Sequence, residues 1–213
     1  MELMHCLRRS VVVVLGLLFL AACGKQPQLA AIPAGHVVLA FGDSVTFGTG
    51  ASPGEDWPAL LGRRTGWRMV NAGIPGDTAE AAKERLGEQL QEHHPVLVMI
   101  EIGGNDFLRR RTPQAVKEDI RQLIQTAKKR QVQVVLIAVP ELSLLGAVTG
   151  KPSDSPIYRQ LAEEEMVPVV SNVFADVLGT PDQKADQIHP NAAGYQRMTD
   201  EIFMALQKIG LAR

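Results

Sequence analysis

Val96-Leu97-Val98-Met99-Ile100-Glu101-Ile102-Gly103-Gly104-Asn105-Asp106 is a short, almost wholly apolar run that stops at two glycines and two polar residues. It lacks the alternation of a strand with one wet face. A strand covered on both faces belongs to a parallel sheet packed between helices. Four other runs read as strands: Val37–Phe41, Arg68–Asn71, Val132–Val139 and Val167–Val170. Between and after them, apolar residues recur at helical spacing: Ala82, Leu86 and Leu90; Val116, Ile120, Leu123 and Ala127; Met198, Ile202, Leu206 and Ile209. Helix starts are marked by Asp77-Thr78-Ala79-Glu80, which can form a capping box, and by Thr112-Pro113 and Ser155-Pro156, each an N-cap followed by proline. Strand and helix in repeated alternation predict the α/β class: a three-layer α/β/α sandwich, flavodoxin-like, around a central parallel sheet of about five strands. In such sheets ligands bind beyond the C-terminal ends of the strands.

Composition agrees with one ordinary domain: 213 residues, 46% hydrophobic, 21% charged, formal net charge -1. With aromatic residues at only 5%, the core is built mainly from Val, Leu, Ile and Ala. Basic residues cluster only at Arg109-Arg110-Arg111 and Lys128-Lys129-Arg130, which leaves no electrostatic footprint for nucleic acid.

The beginning of the chain reads as an export signal. Arg8-Arg9 precede the apolar run Val11–Leu20, too short to cross a bilayer comfortably, and Leu20-Ala21-Ala22-Cys23 follows. That tetrapeptide resembles the lipobox of bacterial lipoproteins, which implies cleavage before Cys23 and lipidation of its sulfur. The expected organisation is a lipoprotein signal peptide over 1–22, a lipidated cysteine and linker over 23–36, and one folded domain over 37–213. Cleavage removes Glu2, Arg8, Arg9 and Cys6, which takes the formal charge to -2, gives the mature surface no general draw toward anionic lipid, and leaves no thiol pair for a disulfide. The expected location is the cell envelope of a bacterium; with Gly24 after the cysteine, this is the outer membrane, on its periplasmic side or surface, if the cell is Gram-negative. A monomer is expected.

Chemistry-bearing residues fall where the strands end. Val37–Phe41 runs into Gly42-Asp43-Ser44, which can present a hydroxyl above the sheet; in isolation this is equally a capped turn. No G-x-S-x-G elbow and no phosphate-binding glycine loop occurs. A nucleophilic serine needs a base. His36 lies in the linker, and His93-His94 close a helix at the opposite end of the sheet. His189 stands in Asp186-Gln187-Ile188-His189-Pro190, just before the last helix, where Asp186 can hold its ring. Asn105 offers a neutral amide donor for an oxyanion, and Gly76, read at the start of a helix, offers a backbone N–H to the same anion. No second His or Cys stands at metal-ligand spacing, so neither metal nor cofactor is expected.

Together, Gly42-Asp43-Ser44, Gly76, Gly103-Gly104-Asn105-Asp106 and Asp186-Gln187-Ile188-His189 resemble the four blocks of the SGNH/GDSL hydrolase family. Trp57-Pro58-Ala59-Leu60-Leu61, Val70-Asn71-Ala72 and Ile188-His189-Pro190-Asn191 are similar to its bacterial thioesterase, lysophospholipase and arylesterase subgroup. The resemblance implies Ser44 as nucleophile, His189 as general base, Asp186 as its orienting carboxylate, and an oxyanion hole of Ser44, Gly76 and Asn105. The implied substrate is a small acyl ester or thioester. Asp43, Gly104, Leu142, Leu144 and Leu145 are the expected substrate-binding positions, the leucines because they follow the fourth strand at the active-site end. Two other readings are an O-acetylesterase of cell-envelope carbohydrate, which a short polar acyl pocket would favour, and a non-catalytic binding lipoprotein.

Overall fold

The computed structural model describes residues 29–141 and 152–213. The leader, Cys23 and the start of the linker lie outside them, as do Leu142, Leu144 and Leu145. Five parallel strands form one sheet in the order β2-β1-β3-β4-β5: β1 Val37–Gly42, β2 Arg68–Gly73, β3 Leu97–Glu101, β4 Gln133–Ile137 and β5 Val169–Val170. This is the flavodoxin-like order, with the chain switching direction across the sheet between β1 and β3. Every residue of β3 is buried, as its unbroken apolar pattern requires. β5 is shorter than its sequence run, because only Val169 and Val170 pair with Leu136 and Ile137.

Two helix layers cover the sheet. On one face α3 (Ala79–His93) packs on α5 (Pro113–Lys129), and α5 on α6 (Pro156–Glu164); on the other, α8 (Ala192–Lys208) packs on α2 (Trp57–Thr65) and α7 (Val173–Leu178). The short helices α1 (Ser44–Phe47) and α4 (Gly104–Leu108) follow β1 and β3 directly. Thr112 caps α5 through the Ala115 N–H. The cap of α3 is Thr78, whose Oγ1 accepts from Ala81 N, and not Asp77, which instead binds Arg85. Ser155 holds the N-cap position of α6, but its hydroxyl makes no cap bond.

The folded body starts earlier than Val37. Ile32 is buried, its carbonyl accepts from Trp67 Nε1, and its N–H donates to Leu211 O at 2.9 Å, while Leu29 N donates to Ile209 O. Residues 29–36, read as linker, therefore seal the sheet's N-terminal edge. The described hydrophobic core lies wholly between Ile32 and Ala212, so a chain starting at Gly24 retains all of it.

Candidate active site

The site is assembled where β1, β2 and β3 end. Asp43 leaves β1 and caps the single turn of α1, its Oδ1 accepting from Val45 N at 3.0 Å. Ser44 thereby becomes the first residue of a helix, where its N–H has no acceptor within the helix and its side chain stands above the sheet. From across the molecule, the segment before α8 brings His189 Nε2 to 2.9 Å from Ser44 Oγ. His189 Nδ1 lies 2.8 Å from Asp186 Oδ2. With Nδ1–H donating to that carboxylate, Nε2 is left to accept the Ser44 hydroxyl proton. Asp186 Oδ1 accepts from the Ile188 and His189 N–H groups, both at 2.8 Å, so the loop fixes its own carboxylate. Burial pushes this carboxyl upward, but the hydrogen bonds from the His189 ring and the two N–H groups outweigh it and hold it below the ordinary range.

Asn105 projects from the first turn of α4 toward the same place. Its Nδ2 donates to Asp77 O at 2.9 Å and, at a longer 3.3 Å, to Asp43 Oδ2. The longer bond is the weaker, and its hydrogen is the one an oxyanion would claim. Gly76 does not open a helix as expected: it is exposed at φ +81° in the turn before Thr78, where Asp77 N bonds back to Ile74 O. Its carbonyl is held by Arg109 Nη2 at 3.0 Å. The two glycines after β3 differ in purpose. Gly103 sits at φ +126° with the Tyr158 hydroxyl 2.5 Å from where a Cβ would stand, so packing requires it, whereas Gly104 lines the cleft.

Arg85 escaped the sequence reading, as did the structural roles of Asp43 and Asp106. Arg85 reaches over the Phe41 ring and donates to Asp77 Oδ2, Ala72 O and Gly42 O, tying together the loops after β1 and β2. Asp106 is buried, takes Arg111 on one oxygen and caps α3 through Ala79 N with the other. Burial lifts the Asp43 carboxyl to about 7, against the pull of the Val45 N–H.

Beside Ser44 opens a cleft. Asp43, Ser44, Gly104, Asn105 and His189 form one side; the rest is Val45, Leu108, Val139, Pro140, Phe174, Leu178 and Ile188. The wall was expected from Leu142, Leu144 and Leu145, which lie outside the described residues. Phe174 and Leu178, one turn apart on α7, supply it from an element too short to show periodicity.

Residues 40–197 match the GDSL-like lipase/acylhydrolase family. The thioesterase 1/protease 1/lysophospholipase L1 of Escherichia coli K12 is 33% identical over 181 residues, 83% of this chain and 86% of that protein. Esterase TesA of Pseudomonas aeruginosa is 30% identical, over 90% of this chain and 98% of its own length. A crystal structure of TesA superimposes with a TM-score of 0.73 at 29% identity, covering 82% of this chain and 99% of the other.

Proposed function

This chain belongs to the GDSL-like lipase/acylhydrolase family and is a carboxylic ester hydrolase; we propose that it works through a Ser44–His189–Asp186 triad on esters or thioesters of extended acyl chains. The observation that carries this reading is the unbroken hydrogen-bonded series from Asp186 through His189 to Ser44 at the mouth of an apolar cleft.

Ser44 Oγ attacks the acyl carbonyl while His189 Nε2 takes its proton, and the carbonyl oxygen becomes an oxyanion. Asp186 holds the ring and stabilises the imidazolium. The Ser44 N–H and the Asn105 amide are the donors for the oxyanion, and the family resemblance adds the Gly76 N–H; the Asn105 hydrogen directed at Asp43 is freed at little cost, because its present bond is long. Collapse of the intermediate breaks the bond to the leaving group, which receives the proton from His189. Water then attacks the acyl carbon and gives a proton to His189, which passes it to Ser44 Oγ as the bond between Oγ and the acyl carbon breaks and the acid leaves.

The apolar lining that Phe174 and Leu178 give the cleft favours this reading over a glycan O-acetylesterase, which has only a two-carbon acyl group to seat. We also propose export, with acylation of Cys23 holding the protein in the cell envelope; the lipobox and the preceding apolar run support this.

The test is hydrolysis of p-nitrophenyl esters from acetyl to palmitoyl by the Gly24–Arg213 chain. Rates that peak at medium or long chains are expected, absent from Ser44→Ala. Phe174→Ser with Leu178→Ser should lower kcat/KM on long chains about tenfold more than on acetate, since each loses its contact with the chain. Activity confined to acetate would move the assignment to the O-acetylesterase. Equal loss on both substrates would remove the cleft from acyl binding. Mass spectrometry of the full-length protein from a bacterial host tests acylation, the expected result being a diacylglyceryl adduct on Cys23.

A further inference from the structure

Helix α1 carries the nucleophile on four residues, and a single turn has too few internal hydrogen bonds to hold itself. Its supports converge on Thr46, two residues beyond Ser44 and fully buried. The Thr46 carbonyl accepts from Asn71 Nδ2 of β2 at 2.8 Å, and its hydroxyl donates to Glu101 Oε2 at 2.8 Å. Glu101 is the last residue of β3, paired in register with Gly42, and is itself fully buried. Gly42 has no room for a side chain there: a Cβ would stand 2.1 Å from Glu101 O and 2.2 Å from Thr46 Oγ1.

The two strands thus diverge into the two segments on which acyl transfer depends. β1 leads within two residues to Ser44, and β3 leads within four to Asn105. The Thr46–Glu101 hydrogen bond links those segments directly above the last rung of the sheet. On the acylhydrolase reading proposed above, we infer that Glu101 is a positioning residue that acts through Thr46 to set the nucleophile against the amide of Asn105.

The chemistry of its surroundings defines the form it takes. Glu101 Oε1 is buried without a hydrogen-bond partner. The nearby guanidinium groups are committed elsewhere, Arg85 to Asp77 and two carbonyls, Arg111 to Asp106 and Asp119. The titratable groups that face Glu101 are Asp43, Tyr158 and Tyr195, none of them a cation. An ionised carboxylate with a bare oxygen in such a place is strongly disfavoured, and burial followed by the Asp43 charge pushes this carboxyl well above the usual range. What Glu101 contributes to Thr46 is an acceptor oxygen at a fixed place. Glutamine supplies the same oxygen without the charge.

Glu101→Gln, Glu101→Ala, Thr46→Val and the Ala/Val double variant, all in the Gly24–Arg213 chain, separate positioning from bulk stability. Kinetics on p-nitrophenyl butyrate are read beside the labelling rate of Ser44 by a fluorophosphonate and a thermal melt. Glu101→Ala and Thr46→Val are expected to lower kcat and labelling about tenfold or more with KM nearly unchanged, since small displacements of a nucleophile are costly. The double variant should fall no further than either single one. Glu101→Gln should stay within about twofold of wild type, with a superimposable pH profile, because the acceptor is kept. A folded Glu101→Ala with wild-type kcat would overturn the inference, as would a Glu101→Gln as impaired as the alanine variant. Should wild type show neither Ser44-dependent turnover nor labelling, the acylhydrolase reading falls and takes this one with it; loss of the Glu101 effect alone leaves that reading intact.

Discussion

The two ends of the sheet are built to opposite specifications. Where the strands begin, helix meets strand through short turns: Gly66 and His94 close α2 and α3 in the left-handed conformation, and Leu29 and Ile32 pair with Ile209 and Leu211. Where the strands end, Asp43, Thr46, Thr78, Glu101, Asp106 and Ser155 are all buried polar groups. Glu101 Oε1 and Ser155 Oγ have no partner at all. A fold that needed only stability would not bury so many polar side chains at one end, since each unsatisfied one costs about 1–3 kcal/mol. The difference teaches that the cost falls where the chemistry is, and that the apolar strands and the closed edge offset it.

That contrast can be broken most directly by removing side chains at each end in turn. Ser44→Ala or His189→Ala should lower kcat/KM on a soluble ester by about 10³-fold or more, whereas His93→Ala with His94→Ala should leave it unchanged. A comparable fall on both sides would erase the distinction. Next in size, Asn105→Ala should cost about 10²–10³ in kcat if its amide meets the oxyanion, read under saturating substrate so that binding does not intrude.

Two further changes concern stability and have opposite settings. Because burial raises Asp43 from an unfolded value of about 3.9 to about 7, the folded protein keeps a proton that the unfolded chain releases. Its contribution is therefore full below about pH 4 and is lost as the pH rises through about 7. Asp43→Asn, which keeps an acceptor for Val45 N, should flatten the decline between about pH 4 and 7 in urea titrations; an unchanged slope would place the pH dependence on another group. At the closed end His94 holds φ +45°, a conformation that favours glycine. His94→Gly should add about 0.5–1 kcal/mol to the unfolding free energy with no change in turnover.

Legibility in the sequence followed the same division. Strands buried on both faces announce themselves as apolar runs, so the readings of β1 and β3 fall within one residue at each end, and that of β4 within two. Ser44, Asn105, Asp186 and His189 were legible because each stands on a polar, glycine-bearing or turn segment directly after a strand or before a helix. The structure brings Ser44, Asp186 and His189 into one hydrogen-bonded series, with Asn105 beside Asp43 at the same cleft. What stayed hidden is tertiary. Phe174 and Leu178 reach the cleft from a six-residue helix with no room for a periodic signal. Glu101 looked like one polar break in an apolar strand, and only Thr46, 55 positions earlier, gives it a role. Ile32 was read as linker because its partners, Trp67 and Leu211, are remote in the chain.

The pairing of Leu29 and Ile32 with Ile209 and Leu211 has a practical corollary for anyone handling this molecule. Leu29 and the last residues of the chain lie together at the end of the sheet where the strands begin, opposite the cleft. An affinity tag, fluorophore or solid support joined after Arg213 starts from that side, away from the path of incoming substrate. A flexible bridge between the ends would also be short, which makes the protein suitable for circular permutation, with new termini opened elsewhere on the surface.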